Sequence, residues 1–400
     1  MSFWVASAVW MEKDFVLGCG YAPEEFSSGD YCLRGEILGE EGYMREAFRL
    51  AAHGRGRTSP NPMVGAVLVR DGRIVGMGWH RKAGTEHAEI HALRMAGELA
   101  QGATLYVTLE PCSHTGRTGP CAKAILTAGV KRVVAAMEDP NPKVSGRGFQ
   151  MLREGGVEVS CGLLESEARR LNEAFITWVT KKRPFVTLKM AMTLDGKTAT
   201  AGGESQWITG EAARLRGHIL RDENDAILVG IGTVLADHPS LTTRLPDGNG
   251  KNPIRVVLDS QARISPSEPM LYDKAAPIWV AATETAPPEN VKKLRAAGAD
   301  VLFAGAGPRV DVPLLLRLLG ERNVCSLLVE GGSTVHFSFL SSGLSDKICA
   351  FIAPMLFGGK NATPTVGGEG FSQIADAVRL TETSWEQIGD DFCIAGYIKR

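Results

Sequence analysis

Four side chains stand out for what they could do together: His87, Glu89, Cys112 and Cys121. One imidazole and two thiolates make a soft N/S donor set suited to zinc, and three protein ligands leave the fourth tetrahedral position open for water, as in catalytic sites. Zinc lowers the pKa of such a water toward neutrality. Glu89 stands two residues from the ligand His87 and need not ligate, so it is placed to take the proton of an attacking water and hand it to a departing amine. His-x-Glu followed by Pro111-Cys112, with Cys121 nine residues later, is the set that hydrolytic deamination needs. A structural Cys/His zinc site, or two unrelated buried Cys, is the plainer alternative. His91 adds a His pair at i, i+4, but Glu sits second after His87 rather than first, so the zincin arrangement is absent.

Elements must place these residues, and the flanking pattern supplies them. Met44, Ala47, Phe48 and Ala51 recur at helical spacing before Gly54. Strand-like runs at Met63–Val69 and Ile74–Trp79 flank Asp71-Gly72, a hairpin turn signal. The spacing then predicts a helix from His87 to Leu99, a strand from Thr104, strands at Lys131–Met137 and Val157–Ser160, and one helix over Glu165–Thr180. This alternation implies a layered α/β sheet. Lys181-Lys182-Arg183-Pro184 reads as a break. Beyond it come strands at Phe185–Met192, Ala226–Val229, Ile254–Leu258 and Cys325–Val329, a helix from Gly210 to Arg221, and a β-rich end at Phe392–Ile398. Two α/β domains are expected, 42–184 and 185–400, preceded by a dispensable tail, 1–41, with Met44 as an alternative start.

The whole chain narrows the function classes. Its 400 residues exceed one ordinary core, and 44% apolar with 22% charged residues is globular composition. Lys plus Arg number 44 against 45 for Asp plus Glu, which gives no global positive field for a nucleic-acid backbone. No apolar run approaches the roughly 18 to 20 residues of a membrane helix. The eight Cys are too scattered for a secreted disulfide scaffold, and Met1–Trp10 lacks the basic flank and cleavage site of a signal peptide. A cytoplasmic protein acting on small molecules, without nucleic acid or membrane partners, is expected. In the second half, Gly230-Ile231-Gly232-Thr233 and Val329-Glu330-Gly331-Gly332-Ser333 both read as strand, glycine turn and helix start. Helix N-termini favour phosphate, although Leu235 breaks the full dinucleotide fingerprint.

Thr58-Ser59-Pro60-Asn61-Pro62-Met63-Val64-Gly65, His87-Ala88-Glu89-Ile90-His91-Ala92-Leu93 and the run Leu109-Glu110-Pro111-Cys112 to Gly119-Pro120-Cys121 together resemble the bifunctional pyrimidine deaminase/reductase family of riboflavin biosynthesis. So do Lys189 to Lys197, Ser205 to Gly210, Gly232 to Asp237 and Glu330 to Ser333. The likeness spans about 42–400. It implies a cytidine-deaminase-like α/β/α domain followed by a dihydrofolate-reductase-like α/β domain, with Zn2+ and NADPH as cofactors, phosphorylated pyrimidines as substrates and a homo-oligomeric assembly. Carried over by position, Asn61, His80, His114 and Arg117 face the deaminase substrate. Ser205, Arg221, Leu241, Arg244 and Glu330 face the reductase substrate, and Ala191, Trp207, Thr233, Asp237, Ser260 and Gly332 face NADPH. Arg117, Arg221 and Arg244 suit a substrate phosphate. Lys189 and Asp195 are candidates for proton handling, with no acid assigned. The chain departs from the family at Gly119, usually Pro, and at His238, usually an acid. A nucleic-acid deaminase with an accessory domain and a zinc-stabilised binding module are the rival readings; the neutral charge and the long Cys112–Cys121 step weigh against the first.

Overall fold

The computed structural model describes residues 39–113, 119–142 and 144–399. The expected tail lies outside these apart from its last three residues, as do His114 and Arg117. The described residues fall into two compact units that meet in sequence at Arg183 and Pro184.

The first unit runs α1 (Glu40–Ala52), β1 (Gly65–Arg70), β2 (Arg73–Trp79), α2 (Ala88–Ala96), β3 (Thr104–Val107), α3 (Cys121–Thr127), β4 (Arg132–Ala135), α4 (Arg147–Glu154), β5 (Glu158–Cys161), α5 (Glu165–Leu171) and α6 (Glu173–Lys181). Its sheet has the order β2-β1-β3-β4-β5. β1 is antiparallel to both neighbours, and β3, β4 and β5 are parallel. The period-two alternation of β1 sorts its side chains: Ala66 and Leu68 enter a core with Ala88, Ala92, Ile125 and Leu152, while Val67 and Val69 enter another with Met44, Phe48 and Leu171. The result is a three-layer α/β/α sandwich. Asp71 and Gly72 both take positive φ, 50° and 74°, which is what a hairpin of this length requires.

Two expectations change here. The first helix begins at Glu40, so a chain starting at Met44 would lose its first turn, including Tyr43, which is buried and donates its hydroxyl to Gly72 O at 2.8 Å. The single helix over Glu165–Thr180 is broken at Asn172. There the side chain accepts from Met63 N at 2.8 Å and donates to Met63 O at 2.9 Å. A side-chain amide that pairs with distant backbone competes with helix propagation, and the break anchors the segment that follows Asn61.

α2 lies directly on β2. A Cβ at Gly76 would stand 2.2 Å from Ala92 O, and one at Gly78 2.3 Å from Ala88 O. Only glycine permits backbone to approach backbone so closely, and the first turn of α2 is thereby fixed against the sheet.

The second unit runs β6 (Phe185–Thr193), β7 (Lys197–Ala199), α7 (Glu211–Glu223), β8 (Ala226–Gly230), α8 (Ile231–Asp237), β9 (Ile254–Leu258), β10 (Ile278–Ala282), α9 (Pro288–Ala296), β11 (Asp300–Phe303), α10 (Val312–Glu321), β12 (Ser326–Gly331), α11 (Ser333–Ser341), β13 (Lys347–Ala353), β14 (Thr363–Pro364), β15 (Leu380–Ile388) and β16 (Asp391–Ile398). Nine strands form one sheet, β11-β10-β9-β8-β12-β6-β13-β16-β15. The seven from β11 to β13 are parallel, and β16 and β15 add antiparallel edges. Central strands such as Ala226–Val229 are buried on both faces, hence their unbroken apolar character. Because β9, β8, β12 and β6 are adjacent and parallel, their C-terminal ends line one edge of the sheet.

Gly78→Ala is expected to destabilise the first unit by about 1–3 kcal/mol, as overpacking does, and to lower the zinc retained after purification. Urea unfolding and metal analysis measure both. Unchanged values would show that α2 has room to retreat.

Candidate metal centre and reductase site

His87 is the N-cap of α2 and Glu89 lies in its first turn. Cys112 follows β3, and Cys121 opens α3. The three ligand atoms lie within 4.8 Å of one another: His87 Nδ1 is 3.2 Å from Cys121 Sγ and 3.5 Å from Cys112 Sγ. A tetrahedral zinc with Zn–N of about 2.1 Å and Zn–S of about 2.3 Å spaces its ligands by roughly 3.6 Å, so the set fits the ion. A hydrogen bond between the two thiols shifts them in opposite directions. The Cys121 hydrogen bond holds the Cys112 thiol at about 4, and the same bond, with burial, pushes Cys121 up.

Glu89 is buried and its Oε2 has no hydrogen-bond partner among the described residues. Burial first, and the Cys112 charge second, raise its carboxyl to about 7. Isolated buried polar atoms are costly and rare, and one beside a metal-ligand set is a mark of chemistry rather than of folding. His80, also buried, meets the His87 ring edge-on with centroids 5.3 Å apart. Its Nε2 faces Asn61 Nδ2 at 3.1 Å and its Nδ1 faces Glu86 O at 3.0 Å; burial lowers its pKa.

Sequence reasoning assigned no role to Glu110. This buried carboxylate accepts from Gly148 N at 2.8 Å, Gly146 N at 2.9 Å, Asp139 N at 3.2 Å and Phe149 N at 3.3 Å. It caps α4, which has no cap from its own N-cap residue. Gly148 packs so closely that a Cβ would stand 1.9 Å from Pro111 O. The Pro111-Cys112 peptide is thus gripped on both sides. Gly146-Arg147-Gly148, two glycines at the start of a helix, was the available signal.

In the second unit the expected residues gather on the sheet edge. Thr233 lies in α8, Glu330 and Gly331 end β12, Gly332 precedes α11, Ser260 follows β9 and Ala191 is on β6. Gly332 has φ 85°, and a Cβ there or on Gly331 would stand 3.8 Å from Thr233 Oγ1, so the two glycine turns share one cradle. The N-terminus of α11 has no side-chain cap. Free N–H groups, a hydroxyl and glycine backbone fit a diphosphate. Ser260 Oγ accepts from Val310 N at 3.2 Å. Ser205 Oγ donates to Asp237 Oδ1 at 3.4 Å, and Arg214 stacks 4.8 Å above the exposed Trp207 ring.

Arg221 and Glu330 form a bidentate pair, both contacts 2.8 Å, with Lys189 Nζ 3.7 Å from Glu330 Oε2. Burial alone would raise the Glu330 carboxyl, but the Arg221 and Lys189 charges overcome it and hold it at about 2. The Arg221 fork, assigned to phosphate from sequence, is turned to Glu330 and, at 3.0 Å, to Thr242 O. Arg244 is the exposed guanidinium, resting on Ser240 Oγ at 3.1 Å and Thr242 Oγ1 at 3.3 Å. Leu241 between them is buried with φ 53°. Arg255, 1% exposed, secures this loop by donating to Ser240 O at 3.3 Å while paired with Asp273, and nothing in its sequence context announced it. Asp195 also changes role. Hydrogen bonds from the Thr193 hydroxyl at 2.6 Å and Gly358 N at 2.7 Å hold it at about 2, which suits an anchor of the 355–359 turn and not an acid. His238, at φ 43°, pairs with buried Glu268 at 2.9 Å.

Two known family profiles match the chain: "Cytidine and deoxycytidylate deaminase zinc-binding region" over 39–137 and "RibD C-terminal domain" over 184–394. "Riboflavin biosynthesis protein RibD" of Bacillus amyloliquefaciens is 48% identical over 352 residues, covering 88% of this chain and 94% of that protein. Its counterpart in Escherichia coli K12 is 43% identical over 369 residues, covering 89% and 98%. The solved structure of Acinetobacter baumannii RibD is similar at TM-score 0.82 and 37% identity, covering 91% of this chain and all of that one, 100%. A Thermotoga maritima diaminohydroxyphosphoribosylaminopyrimidine deaminase/5-amino-6-(5-phosphoribosylamino)uracil reductase is similar at TM-score 0.79 and 39% identity, covering 90% and 99%.

A carboxyl held below its unfolded value stabilises above that value and loses the contribution as pH falls toward the folded one. For Glu330, from 4.5 to about 2, this is on the order of 3 kcal/mol. Glu330→Gln should therefore lower stability to urea at pH 7 by more than at pH 4. An equal loss at both would contradict the pairing.

Proposed function

The chain belongs to the riboflavin biosynthesis protein RibD family, and on that premise we propose how its residues divide the family's two reactions. It is a bifunctional enzyme: zinc-dependent hydrolytic deamination of 2,5-diamino-6-ribosylamino-4(3H)-pyrimidinone 5′-phosphate, then NADPH-dependent reduction of 5-amino-6-ribosylaminouracil 5′-phosphate to the ribitylamino product. Residues 42–184 are assigned to the first step and 185–400 to the second. The observation that carries the assignment is the buried, unpartnered Glu89 Oε2 beside the His87, Cys112 and Cys121 donors.

His87, Cys112 and Cys121 would hold zinc, which when bound acidifies a water for attack on the amino-bearing ring carbon. Glu89 takes the proton of that water and delivers it to the leaving amine. Its buried position beside the donor set, with Oε2 unpartnered among the described residues, suits a group that passes a proton between water and amine. Asn61, with His114 and Arg117 outside the described residues, is assigned to the pyrimidine and its phosphate.

In the second step the ribosyl C1 is reduced in its ring-opened imine form. NADPH, when bound, supplies the hydride. The Gly332 turn, the α11 N-terminus and Thr233 are assigned to its diphosphate, with Ala191, Trp207, Asp237 and Ser260 along the same edge. Arg244, with Ser240 and Thr242, is the cation for the substrate phosphate, and the Arg221–Glu330 pair with Lys189, Ser205 and Leu241 forms the polar wall beside it.

A homo-oligomer is part of the proposal. Trp385 is 73% exposed opposite Ile394 on the edge ribbon β15–β16, with Phe392 on the same face, an apolar surface of the kind that copies of a chain cover. Among the described residues no helix is long and apolar enough to cross a membrane. A cytoplasmic enzyme without nucleic-acid or membrane partners is in keeping with this and with the net charge of −1.

Glu89→Gln should keep zinc yet lose ammonia release by on the order of 10²-fold or more, while NADPH oxidation on the deaminated intermediate persists. Comparable ammonia release would refute the proton role. For the cofactor edge Gly332 is a poor probe, since φ 85° strains any side chain there. Gly232 is exposed, with nothing within 4 Å of a Cβ, so Gly232→Val should leave folding intact and weaken NADPH binding at least tenfold by fluorescence titration. Unchanged affinity would remove the first glycine turn from the cofactor site.

A further inference from the structure

Beyond the turn that Asp195 anchors runs a largely exposed segment, Thr363 to Phe371, with glycine at 367, 368 and 370. Glycine-rich surface chain has little of its own to order it, yet this stretch buries one residue: Thr365 is 5% exposed. Its N–H and its hydroxyl both donate to Gly196 O, at 2.9 and 3.1 Å, which ties the segment to the β6–β7 turn. Its carbonyl oxygen lies 3.0 Å from His336 Nδ1. A carbonyl only accepts, so Nδ1 is the donor. His336 is 4% exposed, and its Nε2 has no hydrogen-bond partner among the described residues. A side chain kept for packing alone would avoid that cost; what the imidazole adds is the Nδ1–H.

His336 belongs to the first turn of α11, where its N–H donates to Gly332 O at 3.0 Å. The same segment grips that turn again. Gly367 N donates to Ser333 O at 3.0 Å. A Cβ on Gly367 would stand 2.9 Å from Ser333 Oγ, and one on Gly368 2.2 Å from the Phe337 ring, while the Phe371 and Phe337 ring centroids are 5.5 Å apart. Residues 363–371 thus form a strap laid along the start of α11, and His336 is its buried fastening. The backbone it holds down is the Gly332-Ser333 turn with its uncapped N–H groups.

We infer that His336 is a positioning residue for the reductase: through Thr365 it seats the strap, and the strap keeps the first turn of α11 in the geometry that a cofactor diphosphate needs. Being buried, it acts through the strap rather than by contact with the ligand. The inference rests on the reductase reading of this unit.

Two readouts on the full chain test it. One is cleavage at Glu369, exposed in the strap, by a glutamyl endopeptidase without NADPH; the other is steady-state NADPH oxidation with the deaminated intermediate. His336→Leu should speed cleavage at Glu369, relative to Glu sites of the first unit, by on the order of tenfold, since local opening becomes easier. It should raise KM for NADPH by on the order of tenfold with kcat within about twofold. His336→Asn, whose amide can donate from near the place of Nδ1, should bring both readouts to within about threefold of the parent. His336→Gln, whose amide stands nearer the place of Nε2, should behave as His336→Leu. Gly368→Ala should lift the strap off Phe337 and reproduce both changes, and it decides where His336→Leu does not fold. An unchanged KM for NADPH in folded His336→Leu overturns the inference, as does a loss of kcat alone in step with melting temperature, or His336→Gln matching His336→Asn. A parent chain that oxidises no NADPH would sink the reductase reading itself, and this inference with it.

Discussion

The deaminase site depends on the contact of one helix backbone with one strand. Gly76 and Gly78 lack the side chains that would hold α2 away from β2, so Ala92 O and Ala88 O come to where Cβ atoms would be. That contact sets the height of the first turn of α2 over the sheet and thus where His87 and Glu89 stand relative to the end of β3. Glu110, four backbone N–H groups deep in hydrogen bonds, fixes the other side, the Pro111-Cys112 peptide. Between these two walls Glu89 is buried, its Oε2 unpartnered among the described residues. A looser fit would admit water, and its carboxyl would return toward the ordinary range.

The reductase unit solves the opposite electrostatic problem. Its buried carboxylate, Glu330, is met by a guanidinium fork and a lysine, so the charge is balanced and the group stays ionised. In the proposed division of roles Glu89 carries a proton in and out, whereas Glu330 keeps its charge within the pair with Arg221. The parallel strands β9, β8, β12 and β6 bring Ser260, Thr233, Gly332 and Ala191 to one edge, as ligand sites of open α/β sheets lie outside the carboxyl ends of strands.

Local spacing made much of this legible. His87-x-Glu89, the Cys112–Cys121 step, the Asp71-Gly72 turn and the apolar runs of β6, β8 and β12 are short-range signals, and the layered α/β architecture of each half follows from them. Long-range polar contacts were not legible. Asn172 breaks a helix to hold Met63, 109 residues away. Glu110 reaches Gly148 across 38 residues, and Asp195 reaches Gly358 across 163. Nothing in a local window distinguishes such a carboxylate or amide from a solvated one, because its partners are backbone groups whose identity leaves no trace in sequence. Arg221 shows the same limit. A basic residue facing a phosphorylated substrate reads as a phosphate ligand until Glu330 is seen to occupy its fork. The start of α1 at Glu40 was missed because its first turn adds only Tyr43 to the apolar face.

The central claim is that zinc chemistry and NADPH chemistry occupy separate residue sets on separately folded units. Stripping the metal with a chelator, then following ammonia release from the diamino substrate and NADPH oxidation with the deaminated intermediate in the same preparation, tests it most directly. The account predicts that ammonia release is lost and returns on adding zinc, while NADPH oxidation holds throughout. Ammonia release that survives in verified metal-free protein, or loss of both activities together with unfolding, would contradict it.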